Sequence, residues 1–292
     1  MNNPFRGSMV ALVTPFRGDE VDWASLDALV DLHVKAGTDV LVPCGTTGES
    51  PTLTHEEHDR VIEAVVRRAA GRIAVMAGTG SNSTSEAIQL TRHARQAGAD
   101  GSLQVAPYYN KPTQEGLYRH FAAIAEAVDF PHVLYNIPGR CGIEISVDTM
   151  ARLRALCPNI VAVKHATGSM DGASELVARC DLGIISGDDS MTLPLLSIGG
   201  VGVISVLANI IPKDVKAMCD AAARNDWPTA QSLHHRMFKL ARVMFIETNP
   251  VPVKTAMAML GMVGEEFRLP MCGMQPANRE KLAAALKDYG IL

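Results

Sequence analysis

Short apolar runs alternate with amphipathic segments from residue 8 to residue 206 of the chain. The apolar runs have the length of buried strands. The segments between them carry apolar residues at helical spacing, and several begin at capping residues. The predicted strands cover residues 8–14, 40–43, 73–77, 103–106, 133–136, 160–164, 183–186 and 203–206. The predicted helices cover 23–36, 114–128, 147–156, 174–179 and 193–198, and two more run from capping boxes at 54–57 and 83–86 to residues 70 and 97.

Strands that alternate with helices pair in parallel through right-handed crossovers. Eight such units are the number that closes a (β/α)8 TIM barrel, so we predict this α/β fold. A doubly wound open sheet is the alternative, but the first strand and turn lack the G-x-G-x-x-G pattern. Beyond residue 212 the pattern is purely helical, with helices predicted at 215–224, 227–246, 252–260 and 279–289. We therefore predict a barrel domain at 1–225 and a C-terminal helical region at 226–292.

The composition is that of an ordinary globular protein, with 47% hydrophobic and 20% charged residues among 292. A net charge of −4 argues against nucleic acid and anionic membranes as partners, because both call for a basic surface. No apolar run reaches the roughly 18 residues of a membrane span, and the first residues lack the apolar core of a signal peptide. The six cysteines are scattered without C-x-x-C pairs, which predicts reduced thiols and a cytoplasmic protein.

The predicted strand at 160–164 leads directly into a lysine. Strand alternation puts the side chains of Ile160, Ala162 and Lys164 on one face of the strand. The side chains of Val161, Val163 and His165 lie on the other face. If both faces are buried, an ammonium group at the end of this strand is costly unless it loses its proton or finds a partner. A neutral lysine is a nucleophile toward ketones. The alternative is a lysine that emerges into solvent at the strand end.

Polar and special residues follow most of the predicted strands. In a TIM barrel the site lies where the carboxyl ends of the strands meet, so these residues are expected on one rim. They are Gly45–Ser50 after the second strand, Tyr108–Asn110 after the fourth, Tyr135 and 136–140 at the fifth, Lys164 at the sixth, Gly187–Asp189 after the seventh, and Ile204 in the eighth.

Each rim residue also has a structural interpretation. The segment 45–48 is either a plain turn or a cradle of backbone N–H groups for a carboxylate, too short for a phosphate loop. Tyr135 is either a core residue or a buried phenol with a polar partner, for which Thr47 is a candidate. Arg140 is either a solvated charge or a group that grips a substrate carboxylate through two parallel hydrogen bonds.

Metal binding is a weak hypothesis for this sequence. His55 and His58 lie three residues apart on one predicted helix face, but no third ligand is evident and the spacing is not that of a zinc protease. Asp188 and Asp189 could suggest magnesium, yet two adjacent aspartates in a loop are insufficient. We therefore expect no metal.

Together these motifs resemble the dihydrodipicolinate synthase (4-hydroxy-tetrahydrodipicolinate synthase) family of the class I pyruvate-dependent aldolase superfamily. The resemblance runs over nearly the whole chain and is carried by Gly45-Thr-Thr-Gly-Glu-Ser50 and by Tyr135-Asn-Ile-Pro-Gly-Arg140 followed by Lys164. Within the superfamily, Arg140 and the segment 108–112 favour the synthase over sugar-acid lyases. One departure is His165, where the family usually has an acidic residue; strand alternation places it outside the barrel lumen.

The resemblance implies a reaction without a cofactor. Lys164 would form a Schiff base with pyruvate, whose carboxylate Thr46 and Thr47 would hold with help from the Gly187 backbone and the region of the Ile204 carbonyl. Tyr135 would carry protons. The resulting enamine would attack L-aspartate 4-semialdehyde, and Arg140 would bind the carboxylate of that aldehyde.

The resemblance also implies an assembly and a regulator. Thr47 would link Tyr135 to Tyr109 of a neighbouring subunit, which implies an obligate dimer, and members of the family are typically homotetramers built as a dimer of dimers. A feedback site for L-lysine at the tight interface would consist of Ser50, Leu53, His55, His58, Asn82, Glu86 and Tyr108. The alternatives are a pyruvate-forming lyase of a 2-keto-3-deoxy sugar acid or of N-acetylneuraminate, and a catalytically silent barrel.

Overall fold

Eight parallel strands close into a barrel in the computed structural model, which describes residues 3–292. The first strand pairs with both the second and the eighth, and this double pairing closes the sheet. The predicted (β/α)8 barrel is therefore confirmed, and the open-sheet alternative is wrong. The strands are β1 Gly7–Ala11, β2 Val40–Val42, β3 Ala74–Gly78, β4 Gly101–Val105, β5 His132–Asn136, β6 Ile160–His165, β7 Gly183–Ser186 and β8 Gly202–Ser205.

Helices lie between the strands and continue beyond the barrel. Their bounds are α1 Trp23–Ala36, α2 His55–Ala69, α3 Thr84–Ala97, α4 Gln114–Ala127, α5 Pro138–Cys141, α6 Val147–Leu156, α7 Met170–Arg179, α8 Thr192–Ser197, α9 Pro212–Ala223, α10 Trp227–Val243, α11 Val251–Met259 and α12 Pro276–Tyr289. Short 3-10 helices occur at Ser50–Thr52, Asp189–Met191 and Leu207–Asn209. Within residues 3–292, no helix is long and apolar enough to cross a membrane.

The structure shortens or extends several predicted elements for identifiable reasons. The run predicted as a strand at 8–14 leaves the sheet after Ala11, where the side chain of Asn209 accepts the N–H of Val13. Helix α7 begins earlier than predicted because the hydroxyl of Ser169 accepts the N–H of Gly172 at 3.0 Å. A two-residue hairpin, Phe16–Arg17 with Glu20–Val21, was too short to leave a periodic signal.

Only one of the two predicted capping boxes is complete. At α2, Thr54 accepts the N–H of Glu57 while the Glu57 carboxylate accepts the N–H of Thr54. At α3, Ser83 caps the N–H of Glu86, but the Glu86 carboxylate turns away to His55 and to another serine. The prediction of a second capping box is therefore wrong for the bond from the Glu86 carboxylate back to the N–H of Ser83. His55 and Ser81 bind that carboxylate instead.

A β-bulge corrects the predicted faces of β6. His132 of β5 pairs with Ile160 and Val133 pairs with Ala162, so Val161 lacks a partner across this ladder. Val161 joins Ala162 in the apolar cluster that fills the barrel lumen, whereas Ile160 packs with the outer helices. The predicted alternation is therefore wrong at the first two positions of the strand. From Ala162 onward it holds, and it directs Lys164 to the same side as Ala162.

The C-terminal helices share a hydrophobic core with one side of the barrel. A single apolar cluster contains Leu41 and Val75 from barrel strands together with Met257 and Leu286 from the last two helices. Helices α10 to α12 therefore cannot be separated from the barrel without exposing apolar surface. The division at residues 225 and 226 remains a prediction.

Candidate active site

Lys164 lies near the carboxyl end of β6 with 6% of its surface exposed. Its Nζ lies 4.2 Å from the centre of the Tyr135 ring. Burial lowers the pKa of Lys164 to about 7; the Asp189 carboxylate opposes this shift and the Arg140 cation adds to it. At neutral pH a large fraction of this amine is therefore unprotonated, as a nucleophile requires.

Tyr135 lies on β5 directly beside Lys164 in the strand register. Burial raises the pKa of its hydroxyl to about 12, against the opposing effects of the Arg140 cation and of a hydrogen bond with the Thr46 side chain. The phenol is therefore protonated at neutral pH and can donate a proton. The sequence-based choice of Thr47 as the partner of Tyr135 is corrected by this contact, because the partner is Thr46.

Thr47 instead forms a hydrogen bond with a residue of the C-terminal region. The side-chain amide of Asn249 donates to the Thr47 hydroxyl at 3.0 Å, and the Asn249 carbonyl accepts from the guanidinium of Arg140 at 2.9 Å. Asn249 was not among the predicted site residues. The signal that could have found it is its place in the segment Asn249-Pro-Val-Pro-Val-Lys254, which lies within the family resemblance.

The Gly45–Ser50 turn is shaped by backbone hydrogen bonds. The N–H groups of Gly48 and Ser50 donate to the Gly45 carbonyl, and that of Glu49 donates to the Thr46 carbonyl. Glu49 has φ of +51°, in the left-handed region that side chains other than glycine rarely adopt. The turn therefore depends on contacts outside itself to keep this conformation.

Three further predicted residues lie around the same strand ends. Gly187 donates its N–H to the His165 carbonyl, and a Cβ there would lie 2.7 Å from the Cβ of Ala166. Ile204 is buried in the apolar cluster of the barrel lumen. Arg140 is exposed on the short helix α5. Arg140 and Gly187 therefore follow the carboxyl ends of β5 and β7, whereas Ile204 lies within β8.

Asp189 has a structural role. Its carboxylate accepts the hydroxyl of Ser205 and the backbone N–H groups of Val206 and Leu207, which fixes the turn after β8. Among residues 3–292, no group of three or more His, Cys, Asp or Glu side chains is arranged to hold a metal ion.

One cavity of about 360 Å³ joins the two predicted groups of residues. Thr46, Tyr135 and Arg140 line it. Most of the predicted lysine-binding residues line it as well; these are Ser50, Leu53, His55, His58, Glu86 and Tyr108. The residues that line this cavity do not include Lys164, Thr47, Gly187 or Ile204, so it adjoins only part of the predicted catalytic group.

The second group of cavity residues is linked by hydrogen bonds. The Glu86 carboxylate bonds to His55 at 2.8 Å, and His58 bonds to the Gly78 carbonyl at 2.9 Å. Burial and the nearby Glu86 charge raise the pKa of Tyr108. Asn82 lies at the edge of this group, where its side-chain amide donates to the Tyr108 carbonyl.

Tyr109 and His165 occupy opposite environments. Tyr109 is 91% exposed and has φ of +72°, so its side chain projects from the surface of the chain. His165 is buried, and its ring nitrogen lies 2.9 Å from both the Ser169 carbonyl and the Thr167 hydroxyl. It therefore contacts the loop that begins α7.

The chain is similar to a single family along its length. The sequence profile of the Dihydrodipicolinate synthetase family matches residues 4–289. A protein of Aquifex aeolicus (strain VF5) named 4-hydroxy-tetrahydrodipicolinate synthase is 55% identical over 289 residues, which is 98% of each chain. A protein of the same name from Geotalea daltonii (strain DSM 22248 / JCM 15807 / FRC-32) is 53% identical over 290 residues, covering 99% of this chain and 100% of its own.

Solved structures agree with this similarity. The dihydrodipicolinate synthase of Aquifex aeolicus superposes with a TM-score of 0.97 at 55% identity, covering 98% of this chain and 99% of its own. The chloride-inhibited enzyme of Acinetobacter baumannii, complexed with pyruvate, gives 0.96 at 47% identity, with 98% and 99% covered. The enzyme of Cyanidioschyzon merolae with lysine bound gives 0.94 at 40% identity, with 99% of both chains covered.

The pKa of Lys164 gives a first prediction. In competitive labelling with acetic anhydride, the reactivity of Lys164 should rise with pH through a midpoint near 7, because only the neutral amine reacts. Arg140→Ala should move this midpoint to higher pH, since it removes a cation that disfavours the protonated amine. Mass spectrometry of the labelled peptide measures both. Arg119→Ala, at an exposed position on α4, is the control; a Lys164 midpoint near 10 in the unaltered chain would contradict the prediction.

Proposed function

This chain belongs to the dihydrodipicolinate synthetase family, and we propose that it condenses pyruvate with L-aspartate 4-semialdehyde through a Schiff base on Lys164. Such an activity makes it a lyase of lysine and diaminopimelate biosynthesis. The observation that carries the proposal is a buried amine with a pKa of about 7 beside a protonated phenol. Because an imine to lysine itself withdraws electrons from pyruvate, the chemistry requires no other cofactor.

The first half of the reaction joins Lys164 to pyruvate. The neutral amine attacks the C2 carbonyl, and the carbinolamine loses water to give an iminium ion. Tyr135 supplies the proton that the leaving hydroxyl needs, while Thr46 orients the phenol. We assign the hydroxyl of Thr47 to binding of the pyruvate carboxylate. The backbone around Gly187 and Ile204 would surround that carboxylate.

The second half forms the carbon–carbon bond. Loss of a methyl proton converts the iminium ion to an enamine, whose carbon attacks the aldehyde of L-aspartate 4-semialdehyde. Arg140 binds the carboxylate of this second substrate, since its guanidinium is exposed at the cavity and held by the Asn249 carbonyl. The amino group of the substrate then attacks the imine carbon and displaces Lys164, which closes the ring and restores the free amine.

We propose a homotetramer assembled as a dimer of dimers, and the exposed side chain of Tyr109 supports an interface between two subunits. That side chain would enter the cavity of a neighbouring subunit and complete a proton path with Thr46 and Tyr135. This path replaces the one through Thr47 that the sequence suggested. A cytoplasmic location is supported by the cysteines, all six of which are free thiols.

The part of the cavity lined by Ser50, Leu53, His55, His58, Glu86 and Tyr108 is proposed as a feedback site for L-lysine. The Glu86 carboxylate can pair with an ammonium group of the ligand, and His55 already lies against that carboxylate. His58 and Tyr108 supply further polar surface in the same cavity. The similar enzyme from Cyanidioschyzon merolae has been solved with lysine bound, which supports this assignment.

Borohydride trapping tests the covalent step. Incubation with pyruvate and borohydride should add the reduced adduct to Lys164 in stoichiometric amount, as detected by mass spectrometry. Lys164→Met should abolish the adduct and lower kcat by at least about 10³-fold, because the nucleophile is lost. Lys213→Met, at an exposed position on α9, is the control and should behave as the parent. An adduct on a different lysine would overturn the assignment.

Arg140→Ala separates the two substrates. The variant should raise KM for L-aspartate 4-semialdehyde by about 10- to 100-fold, which is the range for a lost hydrogen bond to a charged group. KM for pyruvate should change far less. Steady-state kinetics with each substrate varied in turn provide the measurement. A larger effect on pyruvate would instead favour a lyase acting on a sugar acid.

Inhibition by L-lysine provides a further prediction. Millimolar L-lysine should inhibit the parent, and Glu86→Gln should weaken that inhibition by about 10-fold or more through loss of one ion pair. Activity without lysine should persist in the variant, because Glu86 is assigned no part in the condensation. Unchanged activity of the parent up to millimolar lysine would reject the feedback site.

A further inference from the structure

A buried ion pair joins the C-terminal region to the active-site turn. The Nζ of Lys254 on α11 lies 2.5 Å from a carboxylate oxygen of Glu49, and the two side chains are 0% and 2% exposed. Glu49 belongs to the Gly45–Ser50 turn, but neither side chain takes part in the reaction as derived above. The pair therefore needs a different explanation.

Stability alone does not account for this pair. Moving two charges out of water costs several kcal/mol each, and apolar residues of similar volume often stabilise such sites equally well. Two aromatic rings also face the ammonium group, since the Lys254 Nζ lies 4.3 Å from the centre of the Phe16 ring and 5.2 Å from that of Phe267. The charges of Glu266 and Arg268 act on it as well. Charged groups form directional hydrogen bonds, which apolar contacts do not. One carboxylate oxygen of Glu49 accepts from Lys254 and the other accepts from the backbone N–H of Arg268, so both oxygens are fixed.

Glu49 connects this ion pair to the groups proposed to react. Its φ of +51° is a conformation that the turn requires external contacts to keep. Its backbone N–H donates to the Thr46 carbonyl at 3.1 Å. Thr46 and Tyr135 line the same cavity, and a hydrogen bond with the Thr46 side chain opposes the rise in the pKa of Tyr135. A continuous path of contacts therefore runs from Lys254 through Glu49 and Thr46 to the phenol.

We propose that Lys254, acting through Glu49, is a positioning residue that fixes the Gly45–Ser50 turn so that Thr46 stays on the hydroxyl of Tyr135. The inference rests on the proposed roles of Thr46 and Tyr135. The same segment holds the turn a second time, since Asn249 donates to Thr47. The C-terminal region thus acts on catalysis through the geometry of this turn and without touching the substrate.

The test neutralises both charges at once. Glu49→Gln combined with Lys254→Met removes the ion pair without leaving a lone buried charge, so the fold should persist with a melting temperature within about 8 °C of the parent. The expected loss in kcat is about 10-fold or more, because small displacements of reacting groups are costly. Glu265→Gln combined with Arg279→Met, an ion pair within the C-terminal region, should leave kcat unchanged.

A double-mutant cycle identifies the path. In a Thr46→Val background the same double substitution should change kcat by less than about two-fold, since the group through which it acts is already gone. Glu49→Asp, which keeps both charges but shortens the carboxylate arm, serves as a second variant if the neutral pair does not fold. It should lower kcat in the parent background and leave it unchanged beside Thr46→Val.

The outcomes separate this inference from the function on which it rests. If Thr46→Val lowers kcat but the ion-pair variants do not, the positioning role is wrong and the proposed function stands. If the ion-pair variants lower kcat equally in both backgrounds, the pair acts on the whole fold, and the path through Thr46 is also wrong. If Thr46→Val has parental kcat, the role proposed for Thr46 fails, and the path fails with it.

Discussion

The removal of one amine from water is the constraint on which the rest of this structure depends. Lys164 is the second-last residue of a strand whose side chains are buried on both sides of a closed barrel, and burial is the largest cause of its lowered pKa. The charged form loses hydration there, while the neutral form loses little. A closed sheet with helices on its outer face provides this environment, since water cannot reach the lysine from the sheet.

The charges around this amine act in opposite directions. The carboxylate of Asp189 favours the protonated form, but three hydrogen bonds engage it in the turn after β8. The cation of Arg140 favours the neutral form and also lowers the pKa of Tyr135. The same guanidinium therefore favours a free amine and a more acidic phenol while remaining exposed for a carboxylate.

The C-terminal helices complete the site although the barrel is formed by earlier residues. Asn249 touches both Thr47 and Arg140, and Lys254 meets Glu49 in the interior. The contacts with Thr47 and Glu49 join residues 202 and 205 positions apart in the chain, and the contact with Arg140 spans 109 positions. They explain why a barrel of this kind carries a helical region that shares its core.

The sequence by itself determined the order of strands and helices, the closed barrel and the rim on which Lys164, Tyr135 and Arg140 lie. Hydrophobic periodicity and the geometry of parallel strands are local rules, so they can be read along the chain. The family resemblance carried by the two motifs gave the reaction class. The tertiary structure alone decided which threonine meets Tyr135, where Glu86 directs its carboxylate, and that a bulge turns Val161 into the lumen. Those features, together with Asn249 and the Lys254–Glu49 pair, depend on distances between residues far apart in sequence, which no periodic pattern encodes.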